Sequence, residues 1–143
     1  MHIMADVHDK KTRSFNMSRI KGKNTIPEIL VRKILHAKGF RYRLNDPKLP
    51  GKPDIVLPKY RTVIFVNGCF WHGHDGCKYF VIPQARREWW KEKIERTKLR
   101  DKKNIEEFKK HGWNIFVLWE CELRLNPENR IEILIQDFVK LNE

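Results

Sequence analysis

The segment Gly51–Cys77, GKPDIVLPKYRTVIFVNGCFWHGHDGC, constrains the fold more than any other part of the chain. Two short apolar runs, Asp54–Leu57 and Thr62–Val66, flank a turn at Pro58–Tyr60. Runs of this length, rich in β-branched residues and bounded by Pro and Gly, read as strands. The stretch that follows, Asn67–Lys78, is irregular and crowded with Gly, His and Cys. One strand-turn-strand-loop unit therefore holds a carboxylate (Asp54), two histidines (His72, His74), two cysteines (Cys69, Cys77) and the pair Phe70-Trp71.

The rest of the chain supplies the frame. Thr25 is a helix N-cap, Pro27 suits the first turn and Glu28 completes a capping box, with Gly39 as the stop. Ile26, Leu30, Ile34 and Ala37 are the expected apolar stripe of that helix. Phe40–Leu44 alternates as a strand, and residues 45–53, with Asp-Pro, Pro-Gly and Lys-Pro, form a loop. Gln84–His111 is a long helix in which Trp90, Ile94, Ile105 and Phe108 keep helical spacing while Arg and Lys fill the other faces. Trp113–Trp119 is a continuous apolar strand and is expected in the middle of the sheet. Asn129–Leu141 is a closing amphipathic helix. The order predicts an α/β chain, a mixed sheet flanked by helices. Its division is a polar, basic N-terminal arm over residues 1–24 and one domain over 25–143.

The chain is 143 residues long and 41% hydrophobic, with five Trp and eight Phe, enough to build a core. A net charge of +12 points to a polyanion, and double-stranded DNA or RNA fits better than membrane, since no apolar run approaches a bilayer span. Scattered lysines that only solubilise are the plainer alternative. The first residues, MHIMADVHDKKTR, contain no apolar leader, so a cytoplasmic setting is expected. There disulfides are disfavoured, and three cysteines are better used on a metal.

Cys69, His74 and Cys77 form C-x4-H-x2-C, and Cys121 follows in Trp119-Glu120-Cys121. Together they make a closed Cys3His set suited to structural Zn2+, with His72 as a competing ligand and simple burial of the thiols as the alternative. Asp54, opening a strand opposite a second strand, is a seat for Mg2+ if it is more than a turn residue. Imidazole titrates near neutral pH, so His72 is the candidate general base. Glu28 divides evenly between its capping role and that of a second carboxylate at the metal.

Phe70 and Trp71 sit in an irregular loop, where wedging between bases is favoured over core packing. For Trp90, on the apolar stripe, wedge and core are equally good readings. Arg86, Arg87 and Lys93 head a basic helix that can follow phosphates, or merely form a solvated face. Unstacking costs least at a mismatched pair, which ties wedges to damaged DNA. The combination reads as a metal-dependent nuclease.

With these residues in hand, the chain resembles the very short patch repair (Vsr-type) DNA mismatch endonucleases. The resemblance runs from about Met4 to about Leu123 through MADVHDKKTRSFNMSRIKGKNT, LPGKPDIVLPKYRTVIFVNGCFWHGH, REWWKEKI and GWNIFVLWECELR. It implies a restriction-endonuclease-like fold with a structural zinc, and nicking 5′ to the T of a T:G mismatch left by deaminated 5-methylcytosine. It carries over Asp54 as Mg2+ ligand, with the Val66 backbone carbonyl beside it, His72 as general base and Glu28 as helper of the hydrated metal. Phe70, Trp71 and Trp90 become the wedges, Cys69, His74, Cys77 and Cys121 the zinc set, and Met17 a residue of the arm that approaches the opposite groove. A T:G mismatch has no two-fold axis, so a monomer is expected. Other mismatch-repair proteins are an implied class of partner, and the bacterial nucleoid an implied location.

Two departures stand out. Family members often carry Thr-His before Gly-Cys-Phe-Trp-His, where this chain has Val66-Asn67, and Asn67 cannot shuttle a proton. The loop from His72 to Cys77 also has one extra residue. A sequence-specific endonuclease acting on matched duplex and a catalytically impaired, zinc-stabilised DNA-binding module are the competing readings.

Overall fold

Residues 24–142 are described by the structure, a computed structural model. The arm assigned to residues 1–24, Met17 included, lies outside them apart from Asn24.

Helix α1 (Ile26–Ala37) starts where the sequence signals put it. The Thr25 hydroxyl accepts the Glu28 N–H at 3.4 Å, and the Glu28 carboxylate reaches back one residue past the cap, to the Asn24 N–H at 2.8 Å. The buried face is Glu28, Val31 and Leu35, while Ile26 is 84% exposed. The stripe expected at Ile26, Leu30, Ile34 and Ala37 is therefore rotated. An acidic residue lies on the inward face, which a reading of apolar periodicity passes over.

Of the strand expected over Phe40–Leu44, only β1 (Arg43–Leu44) pairs. The ring of Phe40 instead packs on Tyr60 and Phe138, at 5.7 and 5.3 Å between centroids. Strands β2 (Ile55–Leu57) and β3 (Thr62–Asn67) form an antiparallel pair around a 3-10 turn at Pro58–Tyr60, in register Ile55↔Ile64 and Leu57↔Thr62. Helix α2 (Arg87–Lys110) then crosses back, and β4 (Asn114–Trp119) runs parallel to β3 from Thr62↔Asn114 to Asn67↔Trp119. The sheet order is β1-β2-β3-β4.

Strand β4 is thus an edge of this sheet, against the expectation of a central place. Its apolar run has another cause: both faces are covered. Phe116 and Leu118 face the cluster built from α1, Ile55, Leu57, Ile64 and the C-terminal helix, whereas Ile115 packs with Val56, Val63 and Phe108 under α2. Period-two alternation in β2 and β3 divides their side chains between the same two layers. A short helix that sequence reading missed, α3 (Glu120–Leu125), follows β4 directly. Then α4 (Pro127–Leu141) begins two residues earlier than expected, because the Asn126 side chain caps it through the Asn129 N–H at 3.1 Å. A mixed four-stranded sheet between helices is what the element order predicts, and it is consistent with the restriction-endonuclease-like fold that the resemblance implies. Among the described residues no helix is long and apolar enough to cross a membrane.

Candidate active site and metal centre

Asp54 is the last residue before β2 and is buried. Its Oδ2 accepts the Val66 N–H at 2.6 Å. In an extended strand the N–H and C=O of one residue point to the same side. The Val66 carbonyl therefore faces the edge on which Asp54 sits. Glu28, only 2% exposed, is close enough to Asp54 to disfavour its ionised form. Burial pushes the Asp54 carboxyl from 3.8 up to about 7; Glu28 adds to the rise, while the Val66 N–H and the Arg32 guanidinium oppose it. Two buried carboxylates this close are costly without a cation or proton between them. That is the donor set hard cations such as Mg2+ take. The structure therefore brings together Asp54, Glu28 and Val66. It also joins the two readings of Glu28, whose backbone N–H serves the cap while its side chain reaches Asp54.

His72 lies five residues beyond β3, in the loop that leaves it. Its Nδ1 is 2.7 Å from Asp101 Oδ2 on α2. An ionised carboxylate only accepts, so the ring donates through Nδ1, and Nε2 is the nitrogen with a free lone pair. The loop reaches α2 at Gly73, where φ is +62° and a Cβ would meet the Lys98 side chain and lie 2.7 Å from Ile94 Cγ2. His72 is not part of the zinc set. Asp101 was missed in the sequence because it stands among basic residues. Its one signal is its position seven residues after Ile94, an acid on the inward stripe of the helix.

Cys69, His74, Cys77 and Cys121 present ligand atoms all within 4.8 Å of one another. Zinc–ligand bonds of about 2.0–2.3 Å in a tetrahedron put ligand atoms roughly 3.5–3.8 Å apart, so this donor set is gathered to within about an ångström of a Zn2+ tetrahedron. Three linked turns gather the loop ligands: His74 N–H to Cys69 O at 2.9 Å, Cys77 N–H to His74 O at 3.2 Å and Phe80 N–H to Cys77 O at 3.0 Å. Cys121 arrives through the β3–β4 register. Asn67 faces Trp119, so Cys69 and Cys121 each stand two residues past the ladder. The Cys121 N–H meets Cys69 Sγ at 3.3 Å. The His74 ring lies flat on Trp119, 4.0 Å between centroids and 5° between planes. Burial pushes the Cys69 thiol up to about 12, so without a cation this site is strongly disfavoured as a thiolate. The extra residue after His72 does not displace the ligands; Asp75 and Gly76 bulge outward, with Asp75 held by Lys98 at 2.9 Å.

The aromatic residues form one group. Phe70 contacts Trp71 and Trp90, both at 5.3 Å; Trp71 and Trp90 are 5.8 Å apart, and Trp89 is 4.8 Å from Trp90. The expectation that the loop leaves Phe70 at the surface is not met, since it is 3% exposed beneath the two tryptophans. Trp71 and Trp90 are partly exposed and Trp89 more so. Arg86 and Lys93 stand over the Trp89 ring at 4.6 and 5.6 Å, placing two cations beside the aromatic surface. Arg87 is tied back to the Ile82 carbonyl at 3.1 Å. A cavity of about 410 Å3 lined by Phe40, Arg41, Tyr42 and Tyr60 opens at the other end of β2 and contains none of these groups.

Residues 5–78 match the family model described as DNA mismatch endonuclease Vsr. The chain is 50% identical over 121 residues to a type II nicking enzyme, V.NmeAIP, of Neisseria meningitidis serogroup A, covering 85% of this chain and 86% of the relative. It is 46% identical over 121 residues to the DNA mismatch endonuclease Vsr of Escherichia coli (strain K12), covering 85% and 77%. It is 44% identical over 120 residues to the type II nicking enzyme V.XorIIP of Xanthomonas oryzae pv. oryzae, covering 84% and 88%. Family match, identity over most of both chains, the mixed sheet and the Cys3His cluster agree: this chain belongs to the Vsr family of DNA endonucleases.

Proposed function

We propose that the protein is a strand-nicking repair endonuclease. It hydrolyses the phosphodiester bond 5′ to the T of a T:G mismatch in double-stranded DNA, in the context left by deaminated 5-methylcytosine. The observation that carries the reading is a buried carboxylate pair, Asp54 and Glu28, bonded to β3 at Val66, with the oriented pair His72–Asp101 in the loop that leaves the same strand. The mismatch itself rests on the relative from Escherichia coli, named a DNA mismatch endonuclease.

Asp54 and the Val66 carbonyl would hold Mg2+, with Glu28 on its water shell; when bound, the ion would supply Lewis-acid polarisation of the phosphate and charge stabilisation of the leaving oxygen. His72 Nε2 takes a proton from water, and the water oxygen attacks phosphorus in line. The bond to the 3′ oxygen breaks, leaving 3′-hydroxyl and 5′-phosphate ends. Asp101 keeps the proton on Nδ1 and stabilises the imidazolium. Zn2+ on Cys69, His74, Cys77 and Cys121 is structural, because four protein ligands leave no open position. Trp71 and Trp90 enter the stack at the mismatch, with Phe70, buried beneath them, as their support. Arg86, Arg87 and Lys93 lie along phosphates, and Met17 with the N-terminal arm reaches the opposite groove. The enzyme acts as a monomer on a substrate without two-fold symmetry, and other mismatch-repair proteins are candidate partners.

Nicking of matched DNA by a sequence-specific enzyme is the second reading, favoured by the relatives named type II nicking enzymes. A panel of labelled duplexes, one per mismatch plus matched controls in varied flanks, separates the two. A Mg2+-dependent nick confined to the T strand of T:G duplexes is expected. Equal cutting of matched DNA overturns mismatch specificity, and binding without cutting overturns catalysis, with Asn67 the first residue to suspect.

A further inference from the structure

Helix α1 carries a cation directly beside the carboxylate pair, and nothing in the chemistry above uses it. Arg32 is one turn after Glu28, and its side chain is 12% exposed. Its Nη2 donates to Glu28 Oε2 at 3.1 Å and its Nη1 to the side-chain oxygen of Asn24 at 2.8 Å. The Asn24 N–H donates to the same Glu28 Oε2 at 2.8 Å. The three residues close a triangle in which one carboxylate oxygen is held by two donors. Asn24 is fixed in the left-handed region, φ 60°, so its amide and side chain face the helix together.

We propose that Arg32, braced by Asn24, is a positioning residue. It pins Glu28 Oε2 so that the other oxygen is presented toward Asp54 and the hydrated metal. This rests on the reading of Asp54 and Glu28 as the Mg2+ site. The guanidinium also makes a second buried carboxylate tolerable beside the first. Without it, a buried Glu28 facing Asp54 has no counter-charge and turns away. Fixed rotamers of this kind decide whether a site is competent or slightly too loose.

The sign of the effect discriminates. Deleting a positive charge near a cation site would, on Coulomb grounds alone, tighten Mg2+. Positioning predicts weaker Mg2+.

The test compares Arg32→Met, Arg32→Lys and Asn24→Ala with wild type. Three quantities are read: duplex affinity in EDTA, the Mg2+ concentration for half-maximal single-turnover nicking, and the rise in unfolding temperature on adding Mg2+. Arg32→Met is expected to keep duplex affinity within about twofold, to need about tenfold more Mg2+, and to lose most of the Mg2+-induced stabilisation. Arg32→Lys recovers much of both, and Asn24→Ala shifts them part of the way. Unchanged or tighter Mg2+ use in Arg32→Met overturns the proposal. So does a loss of duplex affinity in EDTA equal to the loss of activity, which marks a merely structural role. If Arg32→Met does not fold, Arg32→Met with Glu28→Gln removes the orphaned charge, and failure of that double variant to fold also overturns it. Asp54→Asn is run alongside: if it still nicks, the metal-site reading itself has failed, whatever Arg32 does.

Discussion

His72 Nδ1 and Asp101 Oδ2 are 2.7 Å apart although 29 residues separate them in sequence, and helix α2 makes the meeting possible. The contact decides which ring nitrogen is free to accept a proton. His72→Ala is expected to lower single-turnover nicking by about 10²–10⁴, the range for a general base. Asp101→Asn can offer an amide N–H to Nδ1 and so favour the wrong tautomer; a loss on the order of a hundredfold is expected with duplex affinity unchanged. A wild-type rate in His72→Ala removes His72 from its role, and one in Asp101→Asn removes the orienting role of Asp101.

Asp54 fixes the pH dependence. Its folded pKa is raised from 3.8 to about 7, so between those values the folded chain holds a proton that the unfolded chain has released. Without Mg2+ this contribution to stability is present at low pH and is lost as pH rises toward 7. Mg2+ needs the ionised carboxylate, so at limiting Mg2+ nicking should rise with pH through neutrality. More Mg2+ should move the midpoint to lower pH. Rate profiles at two Mg2+ concentrations check this; coincident midpoints exclude competition between proton and metal.

The Cys3His cluster should contain one zinc per chain by elemental analysis. Structural zinc contributes on the order of 10 kcal/mol of apparent folding free energy. That rivals the whole stability of an ordinary domain. Cys121→Ser should therefore lose the metal and unfold, or unfold at a much lower temperature. A variant that is metal-free yet equally stable would show that the four residues do not staple the fold.

The aromatic group should divide by burial. Phe70→Ala removes a fully packed ring, and a loss of about 3–5 kcal/mol in denaturant unfolding is expected. Trp71→Ala, at the partly open edge of the group, should instead weaken mismatched-duplex binding by about 1–3 kcal/mol. Equal losses of stability and binding in both variants would mean that the group is only core.

Much of this site was legible because its residues are local. Asp54, Val66, Cys69, His72, His74 and Cys77 lie within one strand-turn-strand-loop unit, and their chemistry shows in residue type and spacing. Helix α1 and strands β2 and β3 were legible for the same reason, through capping and β-branched runs. What escaped depends on packing. Asp101 and Arg32 are charged residues on helices rich in charge, and only the tertiary contact separates them from solvated neighbours. The buried face of α1 was misplaced because Glu28, a carboxylate, is one of its inward residues. The edge position of β4 was hidden because two covered faces produce the same apolar run as a central strand. Phe70 was assigned to the surface because its loop is irregular, yet Trp90 of a distant helix covers it.

Cys69 and Cys121 are 52 residues apart and meet at one point. Between them hangs α2, 24 residues or about 36 Å of helix, carrying Trp90, Asp101 and a dense run of Lys and Arg. Zinc at that point would make the intervening chain a closed ring. A helix at the free end of a strand would yield when its tryptophans are pressed into a stack of bases. A helix whose flanking segments both return to one anchor would push back, and the reaction would be carried to the ends of β3 and β4. On the proposed function, a zinc there would thereby serve as the abutment for opening the duplex.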